Sequence, residues 1–119
     1  MGQFTVRVTV ANPADATRQA EVELLVDTGA TLTWVSGDLL QKIGAPSLPR
    51  RSFLLADGRR VERETAAAVV KLNAAVASVT VVVAQPGDAQ LLGATALESL
   101  GFAVDPEGQR LLPRELLAM

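Results

Sequence analysis

Phe4, Val6, Val8 and Val10 alternate with Thr5, Arg7 and Thr9, the period-2 pattern of a half-buried strand. After a turn at Asn12-Pro13 through Thr17 the alternation resumes. Ala20, Val22, Leu24 and Val26 stand opposite Glu21 and Glu23, which predicts a second strand pairing antiparallel with the first. Leu32, Trp34 and Val35 predict a short third strand. Ser36 then caps a helix from Gly37 to Ile43, with Asp38 near its start and Lys42 near its end to suit the helix dipole. Gly44 stops that helix and Pro46 keeps it stopped.

Phe53 to Ala56 and the run from Val61 flank Asp57-Gly58, which reads as a two-residue hairpin tip. The alanines of Thr65 to Val83 favour helix, but Val70 and Leu72 alternate with Lys71 and Asn73, and Val79, Val81 and Val83 with Ser78 and Thr80. That alternation predicts two strands with a turn near Asn73 to Ala75. Pro86-Gly87-Asp88 is a loop, Leu91-Leu92-Gly93 a short buried segment, and Ala94 to Leu100 a helix ended by Gly101. Phe102 to Val104, the turn Asp105-Pro106-Glu107-Gly108 and Arg110 to Leu112 make a closing hairpin. Short strands at close spacing, with one or two small helices and no repeat or linker, predict a mostly all-β domain over residues 1–119, a closed β-barrel or sandwich.

Composition narrows the chemistry. With 119 residues, 49 % apolar and 20 % charged, the chain suffices for one proper core, and an aromatic share of 3 % leaves Val, Leu and Ala to build it. There is no Cys and no His. Disulfides, thiolate chemistry, the usual zinc ligands and every His-based triad are thereby excluded, and acid–base work falls to carboxylates, Lys or water. No carboxylate cluster has calcium-loop spacing, so neither metal nor other cofactor is expected. No apolar run approaches the roughly 18 residues of a spanning helix, and no basic-then-apolar leader opens the chain. The expectation is a soluble cytoplasmic protein with no membrane partner. Net charge is −2, and five of the nine arginines lie between Arg50 and Arg63. Asp57, Glu62 and Glu64 interrupt that cluster and no aromatic residue interleaves, which reads as a solvated hairpin and not a nucleic-acid surface.

The segment richest in chemistry is Asp27-Thr28-Gly29-Ala30, directly after the apolar Glu23-Leu24-Leu25-Val26 and before a hydroxyl-rich stretch from Thr31 to Ser36. A strand end followed by a glycine lets the backbone turn sharply and aim amides at one carboxylate. The plain alternative is that Asp27 merely caps a turn. Leu24-Leu25-Val26-Asp27-Thr28-Gly29-Ala30 resembles the active-site segment of retropepsin-like (clan AA) aspartic proteases, the single-domain homodimeric relatives of pepsin. The resemblance continues along the chain. Leu55-Ala56-Asp57-Gly58-Arg59 looks like the tip of the flap hairpin that closes over substrate. Leu91-Leu92-Gly93 and the helix ending at Leu100-Gly101 are similar to the family's second hydrophobic-hydrophobic-Gly segment and its C-terminal helix. Val104-Asp105-Pro106 through Leu111-Leu112-Pro113 resembles the ending of short bacterial members.

The resemblance implies a retropepsin-type closed β-barrel, half of a two-fold dimer, that hydrolyses peptide bonds. Two Asp27 carboxylates, one per subunit, would share a proton and activate a water between them. Thr28 would brace the pair against the partner's backbone, and Gly29 would let the main chain lie close to substrate. Ala30, and Ala56, Asp57, Gly58 and Arg59 of the flap, would hold an extended peptide or protein substrate by strand-like hydrogen bonds. The same reading places peak activity on the acid side of neutrality. Two departures stand out. Viral members usually follow the second glycine with Arg, where Gly93 here precedes Ala94 and Thr95, and the glycine-rich viral tip is reduced to Gly58 beside Arg59 and Arg60. A catalytically weak or inactive module that keeps the fold to bind peptide or to dimerise is therefore the alternative.

Overall fold

In the computed structural model, which describes residues 3–115, the first alternating runs form β1 (Thr5–Asn12) and β2 (Asp15–Val26), antiparallel with Val8 facing Val22 and Val6 facing Leu24. The turn between them is only Pro13-Ala14, shorter than the Asn12–Thr17 turn that the sequence suggests. Buried Asn12 is the reason. Its Oδ1 accepts the Ala14 N–H (2.8 Å), closing the turn at once, and its Nδ2 donates to the carbonyls of Ile43 and Gly44 at 3.0 Å each.

β3 (Thr33–Ser36) leads into α1 (Gly37–Ile43), where the Ser36 hydroxyl accepts the Leu39 N–H at 3.2 Å and Gly44 ends the helix at φ 70°. β4 (Ser47–Leu54) and β5 (Arg60–Leu72) form a hairpin, and β6 (Ala75–Ala84) turns back on β5 through Asn73, whose φ of 55° the short polar side chain tolerates. β7 (Leu91–Leu92), α2 (Ala94–Leu100), β8 (Phe102–Asp105) and β9 (Arg110–Pro113) complete the described chain.

Two expectations are corrected in the β4–β5 hairpin. The sequence suggests a strand only from Phe53, yet pairing already begins at Ser47, opposite Ala66. Pro49 sits where the register shifts between Leu48 and Arg51, on an edge strand, the place where a missing N–H is tolerated. The tip is not a two-residue turn either. Leu55 N–H donates to Arg59 O (2.8 Å) and Gly58 N–H to Leu55 O (2.9 Å), so Ala56-Asp57-Gly58 is a three-residue loop with Gly58 at φ 90°.

The larger sheet runs β1-β2-β7-β3-β6-β5-β4, and a further β1–β5 pairing from Thr9 to Ala11 closes its first six strands into a ring. β2–β7 and β3–β6 pair in parallel. β8 and β9 form a separate two-stranded sheet. Val8, Val10, Leu24, Val35, Val70 and Val81 are fully buried between the strands, with Leu40 and Ile43 of α1 and Ala96, Leu97 and Leu100 of α2 packed on them. Each such Val or Leu contributes about 1.5–3 kcal/mol by leaving water, which suffices to fix a core without aromatic residues. A smaller cluster lies apart, Trp34, Val82 and Ala84 with Leu32, Phe53, Leu55, Val61 and Leu91 against them. Among the described residues no helix is long and apolar enough to cross a membrane.

Candidate active site

β2 stops where β7 runs alongside it. Leu25 N–H donates to Gln90 O (3.1 Å) and Asp27 N–H to Leu92 O (3.0 Å), and Asp27 then leaves the strand. Ala30 N–H donates back to Asp27 O (3.2 Å), closing a tight turn, and Gly29 N–H donates to the Asp27 carboxylate at 2.9 Å. A Cβ on Gly29 would lie 3.2 Å from that same oxygen, so a side chain there would crowd the carboxylate. Asp27 itself is half-buried.

The turn is clamped from the far end of the chain. Buried Thr33 accepts the Gly93 N–H on its hydroxyl at 3.0 Å, Ala94 N–H donates to Ala30 O at 2.7 Å, and Thr95 N–H donates to Thr31 O at 3.0 Å, joined by the Thr95 hydroxyl on the same carbonyl. The Ala94 and Thr95 N–H groups belong to the first turn of α2, whose N-cap Gly93 offers no side chain; loop carbonyls satisfy them instead. Gly93 is required by contact. A Cβ there would fall 2.4 Å from the Leu32 carbonyl oxygen and 2.8 Å from that of Ala30, both main-chain atoms.

Above the turn lies a groove of about 630 Å³. Asp27, Gly29, Ala30 and Thr31 form its floor, Leu32, Trp34 and Leu91 one wall, and residues 51–56 of the hairpin the other. Phe53 meets Trp34 edge-on, ring centres 5.5 Å apart at 63°, so the arm of the hairpin is packed against the wall. Its base is fixed too. Arg63 donates to both oxygens of Asp88 at 2.8 and 3.0 Å, and Asp88 also accepts the Gln85 N–H at 2.8 Å. Arg63 holds the Asp88 carboxyl below its ordinary range, with the Gln85 bond adding to the effect, and Asp88 raises the Arg63 guanidinium in turn. Arg63 is thus not one of a row of solvated cations, as the local charge run suggests.

A second hollow of about 400 Å³ opens on the other side of the turn, where exposed Thr28 stands beside Ala94, Leu97, Phe102 and Val104. Among the described residues no group of carboxylates is arranged to hold a metal ion.

The family model described as “gag-polyprotein putative aspartyl protease” matches residues 16–99, well over half of the chain and inclusive of the whole floor and hairpin. The chain belongs to this aspartyl protease family. A retropepsin-like aspartic protease from Rickettsia conorii has a similar fold, with a TM-score of 0.54 at 20 % identity over 88 % of this chain and 89 % of that one. No curated protein matches the chain. The fold is accordingly that of a retropepsin-like single-domain protease.

Within this aspartyl protease fold the sequence-predicted residues separate. Asp27, Gly29, Ala30 and Ala56 line one groove, and Thr28 faces the second hollow. Asp57, Gly58 and Arg59 stand at the hairpin tip outside the groove lining, where Asp57 accepts the Arg59 N–H at 3.0 Å and its Nε–H at 2.7 Å. The sequence reading assigns none of Arg51, Phe53, Leu55, Leu91 or Trp34 to a groove; it names Leu55 and Leu91 as parts of the hairpin-tip and Leu-Leu-Gly segments, and Trp34 as part of a short strand. Trp34 does pack, only 8 % exposed, and it is also a wall of the groove. The missed signal for Arg51 and Phe53 is parity: they are alternate residues of β4 and so share one face of the strand.

Proposed function

We propose that the chain is a homodimeric aspartic endopeptidase, working on extended peptides with one Asp27 from each subunit. The observation that carries this reading is the half-buried Asp27 carboxylate, held by the Gly29 N–H at the floor of an apolar groove under a hairpin. One carboxylate is half of the required chemistry. In the dimer two Asp27 side chains would lie about 3 Å apart, and like charges that close do not both ionise, so the pair holds one proton. The ionised member takes a proton from a water held between them while the protonated one polarises the scissile carbonyl.

The exposed Thr28 and the hollow beside it, with Phe102 and Val104, support the partner's seat on that side of the turn. Thr28 then bonds to the partner's backbone and braces the pair. Main chain from Ala56 to Arg59 closes over the substrate as a strand-like cover and excludes water.

The test is cleavage of a diverse peptide library across roughly pH 4–7, the carboxylate range, by wild type and Asp27→Asn. Wild type should cleave, best on the acid side, and be blocked by pepstatin-type inhibitors. Asp27→Asn should lose about 10²–10⁴-fold in turnover while remaining dimeric in sedimentation. Turnover that survives Asp27→Asn, or that belongs to a monomer, contradicts the mechanism. A dimer that binds peptides without cleaving any would be a binding module on the same fold.

A further inference from the structure

The charges of the β4–β5 hairpin are unevenly distributed. Strand pairing sets Arg51 opposite Arg63 and Phe53 opposite Val61 on the face that meets Trp34, and sets Ser52 opposite Glu62 on the other face. On that outer face Glu62 and Glu64 take Arg50 at 3.7 and 3.8 Å. At the tip Asp57 takes Arg59, and on the inner face Asp88 takes Arg63. Arg51 and Arg60 are left exposed, with no ion-pair partner among the described residues, and of the two Arg51 alone lines the groove. It and Asp27 are the charged residues that line the groove. Like charges opposed across a strand pair cost stability, and while Asp88 offsets the charge of Arg63, nothing in the described chain offsets that of Arg51.

We propose that Arg51 determines specificity, donating its guanidinium to the side-chain carboxylate of an Asp or Glu in an extended peptide bound along the groove. The planar fork of Arg matches a carboxylate in a way that Lys does not. Its place on β4 sets the spacing. Arg51 and Phe53 are two residues apart, about 7 Å along the strand, and an extended peptide repeats its side chains on one face at the same pitch. The ligand is therefore a peptide with an acidic residue two positions from an apolar or aromatic one, the latter seated against Phe53 and Trp34. For turnover the inference rests on the endopeptidase reading, but recognition by Arg51 is measurable in binding alone.

The experiment uses fluorescein-labelled peptides of about eight residues, enough to span the groove, each with a Leu-Phe pair and Glu, Gln or Lys two residues away. Affinity is measured by anisotropy on full-length Asp27→Asn protein, and kcat/KM on wild type. Glu should be preferred to Gln by about three- to tenfold, and Lys should be disfavoured. The preference should shrink as salt rises from about 0.05 M to 1 M, because the pair is exposed. Arg51→Gln should level the series. Arg51→Glu should invert it, and the Gln variant controls for a new pairing of Glu with Arg63. Both variants should melt at or slightly above the parent, since the side chain is exposed and its charge stands opposite that of Arg63. Absence of a Glu preference, or one unmoved by either variant, would overturn the role of Arg51. Turnover without any Glu preference sinks this inference and leaves the endopeptidase; a Glu preference in binding with no turnover of any peptide does the reverse.

Discussion

At the floor of the groove the Asp27 turn is bonded to main chain some 60 residues away, through Gly93 to Thr33, Ala94 to Ala30 and Thr95 to Thr31. At the tip of the hairpin every described bond stays within Leu55–Arg59: Leu55 to Arg59, Gly58 to Leu55, and Arg59 to Asp57. Floor bonds break only if α2, whose Ala96, Leu97 and Leu100 are buried, moves with them. Of the tip residues only Leu55 touches the core, partly buried against the Trp34 cluster, and residues 56–59 are exposed. Local opening free energy follows buried contact, so the floor should open with the whole fold and the tip on its own. In the proposed mechanism the carboxylate that must stay in place would sit on the first kind of support, and the cover that must admit a substrate on the second.

The largest expected effect comes from breaking the floor clamp at its tightest point. Gly93→Ala places a Cβ 2.4 Å from the Leu32 oxygen and 2.6 Å from its carbonyl carbon, so the turn and the start of α2 must separate. A loss of about 2–3 kcal/mol is expected, a fall of roughly 10 °C in melting temperature, with peptide cleavage lost in the same variant. A protein that melts as wild type and still turns over peptide would show that the clamp does not hold Asp27.

The elements that carry this clamp are legible in the sequence, and the clamp itself is not. Strands β1, β2, β5 and β6 follow from alternation, and both helices from Ser36, Gly44 and Gly101. Asp27-Thr28-Gly29 and Leu91-Leu92-Gly93 stood out as segments, but their contact through Leu32 and Thr33 is a matter of main-chain proximity that no local pattern records. The first half of β4 is hidden because no apolar alternation marks it before Phe53, and Pro49 is tolerated within it only because an edge strand with a register shift absorbs a missing N–H. Asp88 reads as a turn residue, and it does accept the Gln85 N–H; its second role needs Arg63, 25 residues distant. Pairings of that kind depend on how the strands assemble, which the period along one strand does not reveal.

The Arg63–Asp88 clasp lies between floor and tip in both place and effect. Its side chains are 15 % and 19 % exposed, so removing one partner leaves a mostly sheltered charge, and Arg63→Ala should cost about 1–3 kcal/mol. Acid should act in the same direction. The Asp88 carboxyl is held below its ordinary value by Arg63 first and by the Gln85 N–H as well, both acting against burial, which raises it. A carboxyl depressed in the folded state stabilises fully above its unfolded value and loses that contribution as pH falls through the lower folded value. The window is therefore below about pH 4. Melting temperature plotted from about pH 6 to pH 2 should fall less steeply for Asp88→Asn than for wild type; parallel curves would remove Asp88 from the acid response. Comparison of the two curves is needed because exposed Asp15 and Asp57 and half-buried Asp105 are also held low by their own turn bonds.

The smallest effect should come from the tip, and it is the sharpest test of the contrast. Asp57 and Arg59 are 54 % and 70 % exposed, so Asp57→Asn removes an ion pair that water screens well. Melting temperature should stay within experimental scatter. Amide exchange should nonetheless quicken at Gly58 and Leu55, whose bonds close the loop that Asp57 braces, while Asp27, Gly93 and Ala94 keep their wild-type protection. The Arg59 N–H and guanidinium hold the Asp57 carboxyl low, so mild acid should leave the tip closed where the substitution opens it. If protection at Gly93 fell together with protection at Gly58, tip and floor would be one cooperative unit. The hairpin could then not open over a bound peptide without loosening the carboxylate beneath it, and a cover that moves independently of the floor would have to be abandoned.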